Sequence, residues 1–341
     1  MGVTKETVFS AALACAALAS LMGAAAPLDF GDGPRMNQVQ VLGTHNSYHK
    51  RGADLGALKA IVKEAEAWNY EHQPLDVQFD NSIRSIELDI HNTTEGWRVM
   101  HVPVFDENST CRMFTDCLKV VKTWSDAHPK HVPISILVEY KVEGPMVDPR
   151  ITTPATKDLE RLDADVLSVF PADRLITPDD VRGEAATLEE AVLKRGWPTL
   201  ESARGRVFFI LHNRSEVRDL YVKERESLQG RSMFVNSDPG HPYAATMVRD
   251  NGLDPEIPGL VRKGYWTRST VGGPGKRGLD GAVERRELTL ASGTQIVSSD
   301  YPPNEPDKDT GYIVALPNGL PARWNPANPP TDTSKEPEPA Q

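Results

Sequence analysis

Short apolar runs that end in polar or ionisable side chains recur along the chain. They are "VQVLGTHN" at 39–46, "SIRSIELDIH" at 82–91, "VPISILVEYK" at 132–141, "RVFFILHN" at 206–213, "SMFVNSD" at 232–238, "GYWTRST" at 264–270 and "TQIVSSDYP" at 294–302. Near-continuous apolar character, rather than alternation, marks strands buried on both faces of a parallel sheet. Between most of them lie stretches with helical spacing: "ADLGALKAIVKEAEAW", "CLKVVKTWSDA", "TKDLERLDADVLSVF" and "TLEEAVLKRG". A weaker strand pattern, "DRLITPDD" at 173–180, brings the strand count to eight. Strands alternating with helices predict an α/β fold, and eight such units over 39–302 suit a (β/α)8 TIM barrel. In such a barrel chemistry sits at the C-terminal ends of the strands. His45, Asp89, His91, Glu139, Lys141, His212, Arg268 and Asp300 all fall at or just beyond those ends.

Outside this region the pattern changes twice. The first residues carry one lysine, then an Ala- and Leu-rich run, then small residues, which is the layout of a secretory signal peptide over 1–25. Cleavage after Ala25 places Gly23 at the third position back; a retained anchor is the competing reading, for which the run is marginal in length. At the other end, 321–341 is dense in Pro, Asp, Glu and Ser and reads as a disordered tail. Residues 26–320 then form a single catalytic domain.

A formal net charge of −10 argues against nucleic-acid binding, which needs a basic stripe. Export removes Cys15 and leaves Cys111 and Cys117 in a compartment that permits disulfides, so a Cys111–Cys117 bridge is their simplest use.

Alternate residues of an extended strand share a face, so Glu87, Asp89 and His91 project together in "ELDIH", as do Glu139 and Lys141 in "ILVEYK". Carboxylates crowded in a low-dielectric site need a cationic partner. A hard divalent ion is one answer, with Asn46, Glu87, Asp89 and Glu139 supplying an oxygen-rich cup. Ion pairs to Arg84 or Lys141 are the other. His101 follows Asp89 by twelve residues in a segment that looks like a short hairpin. Two histidines beside a metal cup suit phosphodiester cleavage: one group for the attacking hydroxyl, one for the leaving alkoxide, and a cation for charge on phosphorus.

"LGTHNSYH", "YEHQPLDVQFDNSIRSIELDIH", "HVPVFDENSTC", "DCLKVVKTWSDAHPKHVPISILVEYK" and "GTQIVSSDYP" together resemble the calcium-dependent phosphoinositide-specific phospholipase C family of secreted microbial enzymes, over most of 38–302. The resemblance implies a (β/α)8 barrel that cleaves phosphatidylinositol by attack of the inositol 2-hydroxyl on phosphorus, releasing diacylglycerol and a cyclic or hydrolysed inositol phosphate. By motif, His45 matches the first catalytic histidine and His101 the second, the general acid towards the diacylglycerol oxygen. Asn46, Glu87, Asp89 and Glu139 match the Ca2+ ligands; Lys141 and Arg268 are placed to meet phosphate. Two features depart from the family pattern: Ser269-Thr270 stand where a carboxylate is expected, and no pleckstrin-homology, EF-hand or C2-like module is visible. The implied partner is a phospholipid at a membrane surface, met by a secreted monomer that needs no protein partner. The competing readings are a glycerophosphodiesterase, which usually opens with His-Arg where this chain has His45-Asn46, a sphingomyelinase D-like enzyme, and a non-catalytic lipid-binding barrel.

Overall fold

The computed structural model describes residues 27–52, 65, 68–142 and 148–339. The leader expected over 1–25 and most of the helix expected over 53–68 lie outside them. Eight parallel strands form the barrel: β1 (Val39–Thr44), β2 (Ile83–Thr93), β4 (Ile134–Tyr140), β5 (Val207–Leu211), β6 (Met233–Val235), β7 (Thr246–Asn251), β8 (Trp266–Thr270) and β9 (Ile296–Ser299). Their order around the sheet is β6-β5-β4-β2-β1-β9-β8-β7. A short antiparallel strand, β3 (Gly96–Val99), hairpins back onto the end of β2. Helices Phe114–Ala127, Thr156–Val169 and Gly278–Ser292 are among those that cover the outside. Most barrel strands are buried on both faces because they meet helices on one side and the packed barrel interior on the other, β7 turning exposed in its second half. Among the described residues no helix is long and apolar enough to cross a membrane.

Barrel closure falls between β6 and β7, where the only bridge is Asn236 with Thr246. Side chains complete this seam. The Asn236 Oδ1 accepts from the Val248 amide at 3.0 Å, its amide nitrogen donates to the His212 carbonyl at 3.0 Å, and Thr246 Oγ1 donates to the Val235 carbonyl at 2.8 Å. Nearby, Trp266 packs against Phe208 and Trp197 at ring separations of 5.0 and 5.5 Å.

Two sequence expectations are corrected. The eighth strand is β7, not "DRLITPDD": Leu175 makes a single bridge to Val207, and Pro178 opens a short helix two residues after Ile176. Proline fits the first helical turn but cannot extend a strand ladder. The segment from 321 is also not disordered where it is described. Ala322–Trp324 form β10, antiparallel to the start of β1, and the chain returns so that Glu338 enters the N-terminal end of the barrel. There Glu338 meets the fully buried Arg84.

Beside this contact His131 is buried, its Nδ1 donating to the Val132 carbonyl at 2.6 Å and its Nε2 facing the Ser125 hydroxyl at 2.7 Å. Burial, assisted by the nearby Arg84 and Arg174 guanidiniums, lowers its pKa to about 3. The folded state therefore resists a proton that the unfolded chain accepts near pH 6.5. Stability is unaffected by this group above pH 6.5 and falls as the pH drops from there towards 3, by about 2 kcal/mol at pH 5. Urea melts of the protein and of His131→Gln should converge in acid sensitivity only if this is wrong; a clearly flatter profile is expected for the variant between pH 6.5 and 4.

Candidate active site

The turn after β1 is built by its polar residues. Gly43 precedes it because a Cβ there would stand 2.9 Å from the Ser85 Cβ, so β1 can approach β2 only without a side chain. The His45 amide then donates to the Ser299 carbonyl on β9 at 3.1 Å, and the Ser47 amide to the Glu87 carbonyl on β2 at 3.0 Å. Ser47 Oγ accepts the Glu87 amide at 2.8 Å. Asn46 adopts a left-handed φ of 48°, which asparagine tolerates better than most residues. The turn is thus tied to both neighbouring strands, which fixes where His45 and Asn46 stand.

His45 Nδ1 lies 2.8 Å from Asp300 Oδ1. Burial by itself favours the neutral ring, but Asp300 outweighs it and raises the pKa to about 9. The His45 carbonyl is held by His72 Nε2 at 2.9 Å, and His72 Nδ1 by Glu305 at 2.5 Å. The Asn46 amide nitrogen donates to the Tyr70 hydroxyl at 2.9 Å, so the amide offers its oxygen to a ligand.

Glu87, Asp89 and Glu139 stand on the adjacent strands β2 and β4, with Asp89 directly paired to Glu139 in the ladder. Glu87 is buried, accepts from His212 Nδ1 at 3.1 Å and pairs with Arg268. Burial would raise its pKa; Arg268 and His212 hold it well below the usual carboxylate range. Lys141 Nζ lies 3.1 Å from Asp89 Oδ2 and 3.0 Å from Glu139 Oε1. Apart from that ammonium contact both Asp89 oxygens are buried with no well-formed hydrogen bond, and burial lifts this carboxyl to about 6, Lys141 opposing and Glu139 and Glu87 reinforcing. Of the two ion-pair partners foreseen for the carboxylates, Lys141 bridges two of them, whereas Arg84 is committed to Glu338 at the far end. An all-oxygen set in which a buried carboxylate has only an ammonium beside it, shared with its strand neighbour Glu139, fits a hard divalent cation.

Arg268 is 3% exposed and bonds to Asp250 Oδ1 at 2.8 Å as well as to Glu87. His101 follows β3, 16% exposed at its side chain, with Nδ1 2.9 Å from Asp106 Oδ2. The structure thus groups His45, Asn46, Glu87, Asp89, Glu139, Lys141 and Arg268 on strand ends, and brings His101 in on the hairpin loop. Sequence reasoning assigned no role to Asp300, His212 or Asp106, although His212 and Asp300 had the expected strand-end position.

Cys111 and Cys117 form a disulfide at the base of the loop carrying His101. Its small ring implies about 2 kcal/mol in the chain-entropy account. Reduction should lower the melting temperature by only a few degrees and cut activity by a larger fraction. Equal activity in both redox states would remove any link from the bridge to the His101 loop.

A profile of the family described as phosphoinositide phospholipase C, Ca2+-dependent, matches residues 34–97 and 92–326. The chain belongs to that family. Among solved structures, the calcium-dependent phosphoinositol-specific phospholipase C of a Pseudomonas species, in its myoinositol complex, is 18% identical with a TM-score of 0.56; the match covers 86% of this chain and 96% of that one. The Ca2+-dependent phosphatidylinositol-specific enzyme of Streptomyces antibioticus is 20% identical with a TM-score of 0.57, over 79% of this chain and 95% of that one. At these identities the likeness shows a shared barrel. No curated protein sequence matches the chain.

Proposed function

We propose that this chain is an exported phospholipase C that cleaves phosphatidylinositol at a membrane surface, as a monomer, with the 2-hydroxyl of the inositol as nucleophile. The observation that carries this reading is one barrel end holding two histidines, each backed by a carboxylate, around an acidic cup. His45 stands at the attacking hydroxyl and the phosphorus. Asp300 fixes its Nδ1, and the ring, when neutral, takes the hydroxyl proton as the imidazolium that Asp300 favours. His101 gives a proton to the departing diacylglycerol oxygen. Lys141 meets the phosphate, with Arg268 adding positive potential from beneath. Asn46, Glu87, Asp89 and Glu139 would hold Ca2+. When bound, the ion supplies charge stabilisation at the phosphoryl oxygens and eases deprotonation of the hydroxyl.

The loop that carries His101 ends in Val104 and Phe105, which are 62% and 43% exposed, and Val142 beyond β4 is 51% exposed. Apolar tips beside the site suit contact with lipid, where an acidic protein gains little from charge.

The test is to incubate the protein with phosphatidylinositol vesicles and resolve products by phosphorus NMR. An inositol cyclic phosphate is expected. Its absence alongside hydrolysis of choline lipid or glycerophosphodiesters would transfer the chain to the competing activities. Chelator should abolish turnover, Ca2+ restore it, and Mg2+ restore it poorly, because octahedral demand suits this cup less well. Asp89→Asn should raise the Ca2+ needed for half-maximal rate at least 10-fold with an unchanged melting temperature; full activity in excess chelator would refute the metal reading.

A further inference from the structure

Asp106 is 3% exposed, and one of its oxygens, Oδ2, is shared by two imidazoles: His49 Nε2 at 2.8 Å and His101 Nδ1 at 2.9 Å. His49 is fully buried. Its other nitrogen, Nδ1, is buried without a hydrogen-bond partner, which suits a bare acceptor far better than an N–H. Nε2 therefore carries a hydrogen and donates it to Asp106. Its placement is rigid: the His49 amide donates to the Asn46 carbonyl at 2.8 Å, its carbonyl accepts the His72 amide at 2.9 Å, and Tyr70 packs on the ring at 4.6 Å.

Asp106 is also tied to the backbone of the residue it orients. The amides of His101 and Val102 donate to its carbonyl at 3.2 and 3.1 Å, and its own amide donates to the Val102 carbonyl at 2.8 Å. This closed turn leaves the Asp106 carboxylate no freedom relative to His101. Hydrogen bonds from both histidines offset its burial and keep it ionised. Trp68 meets the His101 ring edge-on at 5.3 Å and limits its rotation.

We propose that Asp106 and His49 are positioning residues for His101. Asp106 binds the Nδ1–H, which leaves Nε2 on the opposite edge of the ring to carry the proton for the leaving oxygen. His49 holds the carboxylate in that orientation through a second hydrogen bond to the same atom. The proposal rests on the reading of His101 as general acid.

The experiment compares Asp106→Asn, His49→Phe, His49→Gln and His101→Ala on phosphatidylinositol, whose leaving alkoxide needs a proton, and on nitrophenyl inositol phosphate, whose leaving group does not. Asp106→Asn removes the carboxylate charge, and because both imidazoles meet the same atom, the amide can offer both only a neutral oxygen, or both a nitrogen that cannot accept. Its kcat on the lipid should fall roughly 100-fold or more with KM little changed, and it should lose far less on the nitrophenyl ester. His49→Phe should lose roughly 10-fold with the same split, and His49→Gln, which keeps a side-chain donor, should recover most of that loss. Circular dichroism melts identify a variant that is merely unfolded, and the His49 pair then carries the test. If His101→Ala shows the split while folded Asp106→Asn and His49→Phe lose equally on both substrates, the positioning proposal is wrong and the general-acid reading stands. If His101→Ala itself shows no split, that reading falls and takes the proposal with it.

Discussion

Replacing His101 with alanine should lower turnover of phosphatidylinositol by about 10² to 10⁴, and a nitrophenyl leaving group should restore most of the loss; replacing His45 should lower both substrates alike. The asymmetry follows from where the two rings stand. His45 leaves a strand end tied to β2 and β9, beside Asn46 and the carboxylate cup, and its proposed work on the nucleophile and phosphorus is needed whatever group departs. His101 stands on the loop after β3, backed by Asp106, and is proposed to serve the leaving oxygen. A nitrophenolate leaves without a proton, so the acid becomes dispensable while the rest of the site does not. Steady-state kcat/KM for both variants on both substrates decides it. Equal losses for the two histidines on both substrates would erase the division of labour, and near-native lipid turnover by either variant would remove that residue from the chemistry.

Much of this arrangement was legible in the sequence because the fold itself orders it. Seven strands announced themselves as apolar runs, and the acidic, basic and imidazole side chains at their ends had to converge once the strands closed into a barrel. β7 was not legible for a physical reason. "TMVRDN" has three buried residues and then turns partly or fully exposed, so it carries neither a buried run nor an alternation, and its pairing at the seam depends on Asn236 and Thr246 side chains. "DRLITPDD" misled because Leu175 and Ile176 are fully buried without belonging to a ladder of more than one bridge. In the site, the ligand-type residues share strand faces and can be read from period two. Asp300 stood at a strand end but its partner lies 255 positions away. Asp106 and His49 meet only because a hairpin folds back across the mouth of the barrel, and nothing local records it. The tail failed for a different reason: Pro, Glu and Ser composition signals that a segment cannot build a core, not that it cannot dock on one.

That docking should carry one of the largest stability effects in the molecule. Glu338 accepts from Arg84 Nε at 3.0 Å and from its NH2 at 2.5 Å, and from the Val132 amide at 2.7 Å. Arg84 has no exposure, stacks on Trp124 at 4.9 Å, and spends its remaining nitrogen on the Phe79 and Ile83 carbonyls, both at 2.7 Å. Arg204 and Trp324 hold the peptide leading into Glu338, donating to the Pro337 and Lys335 carbonyls at 2.8 and 2.6 Å. A guanidinium cannot shed its proton, so deleting Glu338 leaves a charge in the barrel floor with backbone carbonyls alone. Removing one partner of such a buried pair typically costs about 3 to 5 kcal/mol. Glu338→Ala, and likewise a stop after Lys335, should therefore lower unfolding free energy by about that amount in urea melts. The paired change Arg84→Met with Glu338→Leu should recover most of it, since the cost is that of the stranded charge rather than the loss of an intrinsically favourable bond. A Glu338→Ala melt within about 1 kcal/mol of the parent, well under the expected cost, would mean that the tail leaves its seat in solution and that water reaches Arg84.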